Sequence, residues 1–175
     1  TMKKLIIAAL AIAAATTMYA QGTVSMASKN AVTYGASCGD LYGQKVGDNI
    51  IGYLLYEDNI VASQAFNGVN AKTGEFTGKM NGGVVKIDEV PAGQAVQFTV
   101  VATDLLTTGP LDGAVYIGTS TPFTYNTGNP AGTPPTTPDA KLAYDAFTVE
   151  YIPEPTTIAL GILGLSSLLV LRRRD

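Results

Sequence analysis

Apolar residues follow three patterns along this chain. Residues 5–15, uninterrupted, and 158–171, broken only by Ser166-Ser167 and two glycines, are two apolar runs without charge, one near each end. Between them apolar and polar positions alternate in short stretches separated by Gly, Asn and Pro. The clearest alternation covers residues 94–104, where Val96, Phe98, Val100 and Ala102 share one face and Gln97, Thr99 and Val101 fall between them. Period two over that length predicts a half-buried antiparallel strand. Shorter strands are predicted at 23–27, 49–57, 60–66, 83–90, 114–117, 122–125 and 146–152, with a minor one at 75–77. Glu57-Asp58-Asn59 separates two β-like runs and predicts a hairpin. Pro91-Ala92-Gly93 predicts the turn that leads into the longest strand.

About eight short strands with turn signals between them, and no amphipathic helix beyond a short candidate at 139–144, predict an all-β fold. The expectation is one antiparallel β-sandwich or jelly-roll-like domain over residues 21–152. Residues 119–139 stand apart, with five prolines and seven threonines. Prolines interrupt sheet hydrogen bonding and small polar side chains bury little, so an extended, solvated loop is expected there.

Charge and residue usage then narrow the chemistry. Residues 21–152 hold twelve carboxylates against six lysines and no arginine, a net charge of −6. That sign offers no footprint for nucleic acid. The chain contains no histidine, which removes Ser-His-Asp and Cys-His nucleophilic catalysis and imidazole metal sites. Its single cysteine, Cys38, can form no internal disulfide, so the fold must hold by packing. No glycine-rich phosphate loop is present, and no cofactor or metal is expected. Carboxylates remain. Two suffice for glycoside hydrolysis, and Glu57-Asp58 and Asp88-Glu89 are adjacent pairs, each at a strand end or turn. Tyr34, Tyr42 and Tyr125 are candidates for stacking on sugar faces, with core or rim packing as the ordinary alternative.

The two apolar runs have recognisable flanks. Lys3-Lys4 precede the first run, and Thr16 to Ala20 follow it, with Met18 larger than the small residue usual three positions before a cut. This is the layout of a signal peptide over residues 1–20, cut by signal peptidase between Ala20 and Gln21. The second run follows Pro153-Glu154-Pro155 and Thr156-Thr157 and ends at Arg172-Arg173-Arg174. The prolines hold Glu154 in extended chain. Residues 156–171 predict a transmembrane helix of sixteen residues, roughly 24 Å long against a hydrocarbon core of about 30 Å. Snorkelling arginines and local thinning can close that gap. By the positive-inside rule Arg172, Arg173 and Arg174 stay cytoplasmic and set the orientation.

Pro-Glu-Pro, apolar helix and arginine cluster, in that order over residues 153–175, closely resemble the PEP-CTERM sorting signal of exported bacterial proteins. The resemblance implies recognition of Pro153, Glu154 and Pro155 by an exosortase-type membrane enzyme, which processes its substrates near that motif. It implies that helix and arginines hold the substrate in the membrane meanwhile. A plain tail anchor after a proline-rich turn is the alternative. The 21–152 stretch is loosely similar to other small exported proteins with this tail, through the Pro-Ala-Gly turn, the long alternating strand and the Gly-Thr-Ser segment after it. That likeness brings no established activity.

These observations lead to an exported, non-catalytic protein inserted in the inner membrane through its C-terminal helix. Processing would then pass it to the cell surface, the envelope or extracellular polysaccharide, with a structural or adhesive role. Two alternatives stand beside it. One is an extracellular carbohydrate-binding module or carbohydrate-active enzyme, the other a permanently anchored periplasmic protein.

Overall fold

The computed structural model describes residues 21–104 and 114–153. The segments 1–20 and 154–175 lie outside the described residues, and with them Ala20, Glu154, Pro155, the 156–171 run and Arg172 to Arg174. The all-β expectation holds for the described chain. Nine strands follow in order: β1 (Gln21–Ala27), β2 (Val32–Tyr34), β3 (Ile51–Tyr56), β4 (Asn59–Ala65) and β5 (Asn81–Pro91), then β6 (Ala95–Thr103), β7 (Tyr116–Thr119), β8 (Phe123–Asn126) and β9 (Phe147–Tyr151).

Strand β6 organises the larger sheet. Its inward residues Val96, Phe98, Val100 and Ala102 are all buried, as the alternation predicts. One edge of β6 pairs along most of its length with β3, in unbroken register from Ile51↔Thr103 to Leu55↔Thr99. The other edge is shared, with β7 on its last residues and β8 on its first. The β7 and β8 registers differ by one residue, so together they form a single bent lane with a bulge at Ser120–Pro122. Pro122 has no N–H to give to the ladder. Ser120 compensates there: its N–H donates to the Val100 carbonyl at 2.8 Å, and its hydroxyl accepts the Val100 N–H at 2.9 Å.

The full order of this seven-stranded sheet is β2-β9-β7-β6-β3-β4, with β8 beside β6. The purely antiparallel expectation fails at one pair, because β2 runs parallel to β9. A parallel neighbour requires a long connection, and more than a hundred residues separate these two strands. At three residues β2 is too short to give a period-two signal. Gly118 of β7 lies tight against β9, where a side chain would collide with the Thr148 carbonyl.

The second sheet pairs β1 with β5. At Gly22 the two backbones approach so closely that a Cβ would stand 2.8 Å from the Val90 carbonyl oxygen. Val24 and Met26 of β1, with Ile87 and Val90 of β5, join Leu54, Phe98, Val100 and Phe123 of the large sheet in one buried cluster.

Two further expectations are corrected. The 119–139 segment is not a solvated loop throughout. Its first half holds β8, with Phe123 and Tyr125 buried, and Thr127 is buried just beyond. The exposed part begins after Gly128 and is tied at its base by Asn129 and Thr136. Residues 139–144 are not helical. They run extended beside β1, where Leu142 donates its N–H to the Ala27 carbonyl at 2.7 Å and accepts from Lys29 at 2.9 Å. Leu142 and Tyr144, two residues apart, are both fully buried, so the stretch follows strand periodicity. A short 3-10 segment, Ala36–Leu41, breaks at Gly39 and was not foreseen. The 75–77 strand is reduced to a bridge between Val69 and Phe76.

Candidate functional site

Two places on the domain gather residues with chemical potential, and they lie at opposite ends of β6. The first is a groove of about 510 Å³ where the β3–β4 turn faces the start of β6. Tyr56, Glu57 and Asp58 form one wall, and Gln94, Gln97 and Thr99 line the other. Leu55, Val96, Pro91 and Pro122 supply its apolar surface.

The turn is the predicted hairpin. Tyr56 pairs with Asn59, so Glu57 and Asp58 are the two loop residues. Both have positive φ, 48° and 64°, the requirement of a type I′ turn, which Asn-Gly satisfies at least cost. Carboxylate-bearing residues occupy it instead. Tyr56 packs edge-on against Phe98, with ring centroids 5.9 Å apart. Partial burial and the adjacent Glu57 carboxylate push its phenol above the usual tyrosine range.

The other sequence candidates fare differently. Asp88 and Glu89 are exposed on β5, where the register with β1 jumps between Ile87 and Pro91, and they do not approach the Glu57-Asp58 turn as groove partners. Tyr34 and Tyr125 are buried and cannot offer a face to a sugar, whereas Tyr42 is exposed. The Tyr125 hydroxyl accepts the Ser25 N–H at 2.8 Å and donates to the Asp139 carbonyl at 2.6 Å. The aromatic residue beside the acidic pair is Tyr56, missed in the sequence although it immediately precedes the turn. Gln94 and Gln97 were missed as well, because polar residues on the outward positions of a strand read as solvated surface. Among the described residues no group of three or more Cys, Asp or Glu comes together to hold a metal ion.

The second place is the exit of the chain. Strand β9 ends at Tyr151, Ile152 donates its N–H to the Val115 carbonyl at 2.8 Å, and Pro153 is exposed immediately after. The strand is fastened on its other side through Ser37. That hydroxyl accepts the Tyr151 N–H at 2.7 Å and donates to the Glu150 carboxylate, which also accepts the Ser37 N–H at 3.1 Å and the Thr148 hydroxyl at 3.2 Å. The Ser37 hydroxyl, and then its N–H, hold the Glu150 carboxyl below the usual range. Cys38 is a half-buried free thiol 3.3 Å from the Val149 carbonyl oxygen. Asp104 accepts the N–H groups of Val115 and Tyr116, both at 3.0 Å, and so fixes the start of β7. Tyr34, Tyr116 and Tyr151 stack edge-to-face in series, 5.6 and 5.9 Å apart.

Of the sorting and processing residues, Gln21 lies in β1 and Pro153 follows β9. Ala20, Glu154, Pro155, Arg172, Arg173 and Arg174 lie outside the described residues. No family model, curated protein or solved structure matches the chain. Among the described residues no helix is long and apolar enough to cross a membrane.

Proposed function

We propose that the chain is a non-catalytic exported β-sandwich domain, delivered by a signal peptide over residues 1–20 and sorted through a PEP-CTERM-type tail over 153–175. The observation that supports it best is where the last strand stops. Strand β9 ends at Tyr151, and Pro153, the first residue of the tail motif, follows it on the surface, while Gln21, expected to follow the signal-peptide cut, already belongs to β1. None of the nine described strands includes a residue beyond 151, so removing the tail takes away none of them. Two sheets sharing one buried cluster fit the sandwich reading. In this reading signal peptidase and an exosortase-type enzyme act on the two ends. The membrane holds the protein through the 156–171 helix until processing, and extracellular polysaccharide is its eventual surrounding.

The test separates insertion from processing. In a host carrying an exosortase-type enzyme, the wild-type chain should lose its tail and leave the inner membrane. Glu154→Gln leaves the apolar run and Arg172 to Arg174 intact, so that variant should insert normally and stay at full length. Mass spectrometry of membrane and surface fractions reads both outcomes. A wild-type chain that keeps its tail in the inner membrane, as the variant does, would establish a permanent anchor and refute the sorting reading.

A further inference from the structure

We propose that the groove between the β3–β4 turn and the start of β6 binds an uncharged oligosaccharide. The reasoning starts from size. At about 510 Å³ the groove falls in the range of roughly 300–1,000 Å³ typical of small-molecule sites. Its polar lining then limits the ligand. The carboxamides of Gln94 and Gln97 each offer donors and an acceptor, the Thr99 hydroxyl offers both, and Glu57 and Asp58 only accept when ionised. A ligand suited to all five must donate and accept from many closely spaced groups. Sugar hydroxyls do so, each being one donor with two acceptor lone pairs.

Apolar surface is present in the form a sugar ring uses. The Tyr56 ring lines the groove with Leu55, Val96, Pro91 and Pro122, an aromatic ring being a surface on which the C–H face of a pyranose packs, and Phe98 holds that ring through an edge contact. Charge excludes the acidic sugars. Among the described residues no Lys or Arg lines the groove, while two carboxylates do, so a phosphate or uronate would meet like charge without a cation from these residues to pair with. The turn is built at a cost. Glu57 and Asp58 hold φ values of 48° and 64° where Asn-Gly would be relaxed, consistent with side chains kept for contact.

The proposal is independent of how the tail is processed. The exit strand meets β6 through Ile117, which pairs with Glu150 on β9 and with Thr103 on β6. From Thr103 back to Gln97 is about 20 Å along the strand. The groove therefore lies at the end of the sheet away from the exit.

The test titrates the full chain, in mild detergent, with cellohexaose, maltohexaose and mannohexaose, and with hexagalacturonate as the acidic comparator, by calorimetry. At least one neutral hexasaccharide should bind, and the acidic one should bind more weakly. Two variants then locate the site. Gln97→Ala removes an exposed strand side chain, and the double variant Glu57→Asn with Asp58→Gly removes both carboxylates while relaxing the turn. Each should weaken binding about tenfold or more, while the turn variant melts higher than wild type, so that loss of binding cannot be attributed to misfolding. No binding of any neutral hexasaccharide at millimolar concentration, equal affinity in both variants, or tighter binding of hexagalacturonate would each overturn the proposal.

Discussion

Two buried tyrosines should respond in opposite ways to the same substitution. Tyr144 and Tyr125 are both almost completely buried, and both rings sit in the aromatic cluster around Phe98 and Phe123. The Tyr125 hydroxyl joins the Ser25 N–H to the Asp139 carbonyl. The Tyr144 hydroxyl makes no hydrogen bond of proper geometry. Burial pushes its phenol up to about 12, and the nearby Ser28 hydroxyl offsets only part of that. A buried polar group without a partner costs about 1–3 kcal/mol. Tyr144→Phe removes that cost and keeps the ring against Phe123 and Phe147, at 5.8 and 5.5 Å, so it should stabilise by about 1 kcal/mol. Tyr125→Phe strands a buried N–H and a carbonyl and should destabilise by about 1–3 kcal/mol. In thermal unfolding each kcal/mol is about 3–5 °C for a domain of this size. Alkaline titration gives a second reading. A phenol whose folded pKa is raised contributes stability that is fully present below about pH 10 and lost as pH rises through about 12. Tyr144→Phe should abolish that part of the alkaline decline. If Tyr144→Phe destabilises by 1 kcal/mol or more, the hydroxyl has a partner and the reasoning fails.

Glu150 should govern the acid side. Its carboxyl is held below the usual range by Ser37, so its contribution is present above the unfolded value and lost as pH falls through the lowered one. Ser37→Ala should lower the melting temperature at neutral pH and narrow the difference at the acid end, read from unfolding curves across acidic pH. Gly118→Ala should cost about 1–3 kcal/mol, by forcing apart β7 and β9 at the Thr148 carbonyl, and chemical denaturation measures it directly.

How legible the fold was depended on strand length and pairing range. Strand β6 was read almost to the residue because Val96, Phe98, Val100 and Ala102 keep one face buried along it, although from Val100 to Thr103 both faces are buried. The β3–β4 hairpin was read from local turn signals. Strand β2 and its parallel partner were not, since three residues carry no period and pairing with β9 is decided by tertiary contact. The 139–144 stretch misled because Ala, Lys and Leu favour helix, yet Leu142 and Tyr144 occupy a buried lane beside β1 and packing overrides propensity. Composition misled at 119–139 in the same way. Phe123 and Tyr125, two positions apart, outweighed the prolines on either side. The acidic pair of the groove was visible as a turn, but its opposing wall comes from Gln94 and Gln97, about forty residues away on another strand.

Among the described residues the exit strand gains its hold from residues distant in sequence. On one side β9 is fastened to β2 and Ser37, on the other to Val115, Tyr116 and Ile117. All of these partners precede it in the sequence. Backbone hydrogen bonds hold a strand whether or not the next residues are ordered, provided its edges are paired. Cutting the chain just after Pro153 therefore leaves each of these hydrogen bonds in place. Glu150 and Ser37 matter for the same reason. They tie the last two residues of the strand to the 3-10 segment at the point where pull from a membrane-held tail would first be felt. A domain tethered at its C-terminus and released there needs its final strand fastened from behind, and the parallel β2–β9 pair, absent from an up-and-down sheet, supplies one of those two fastened edges.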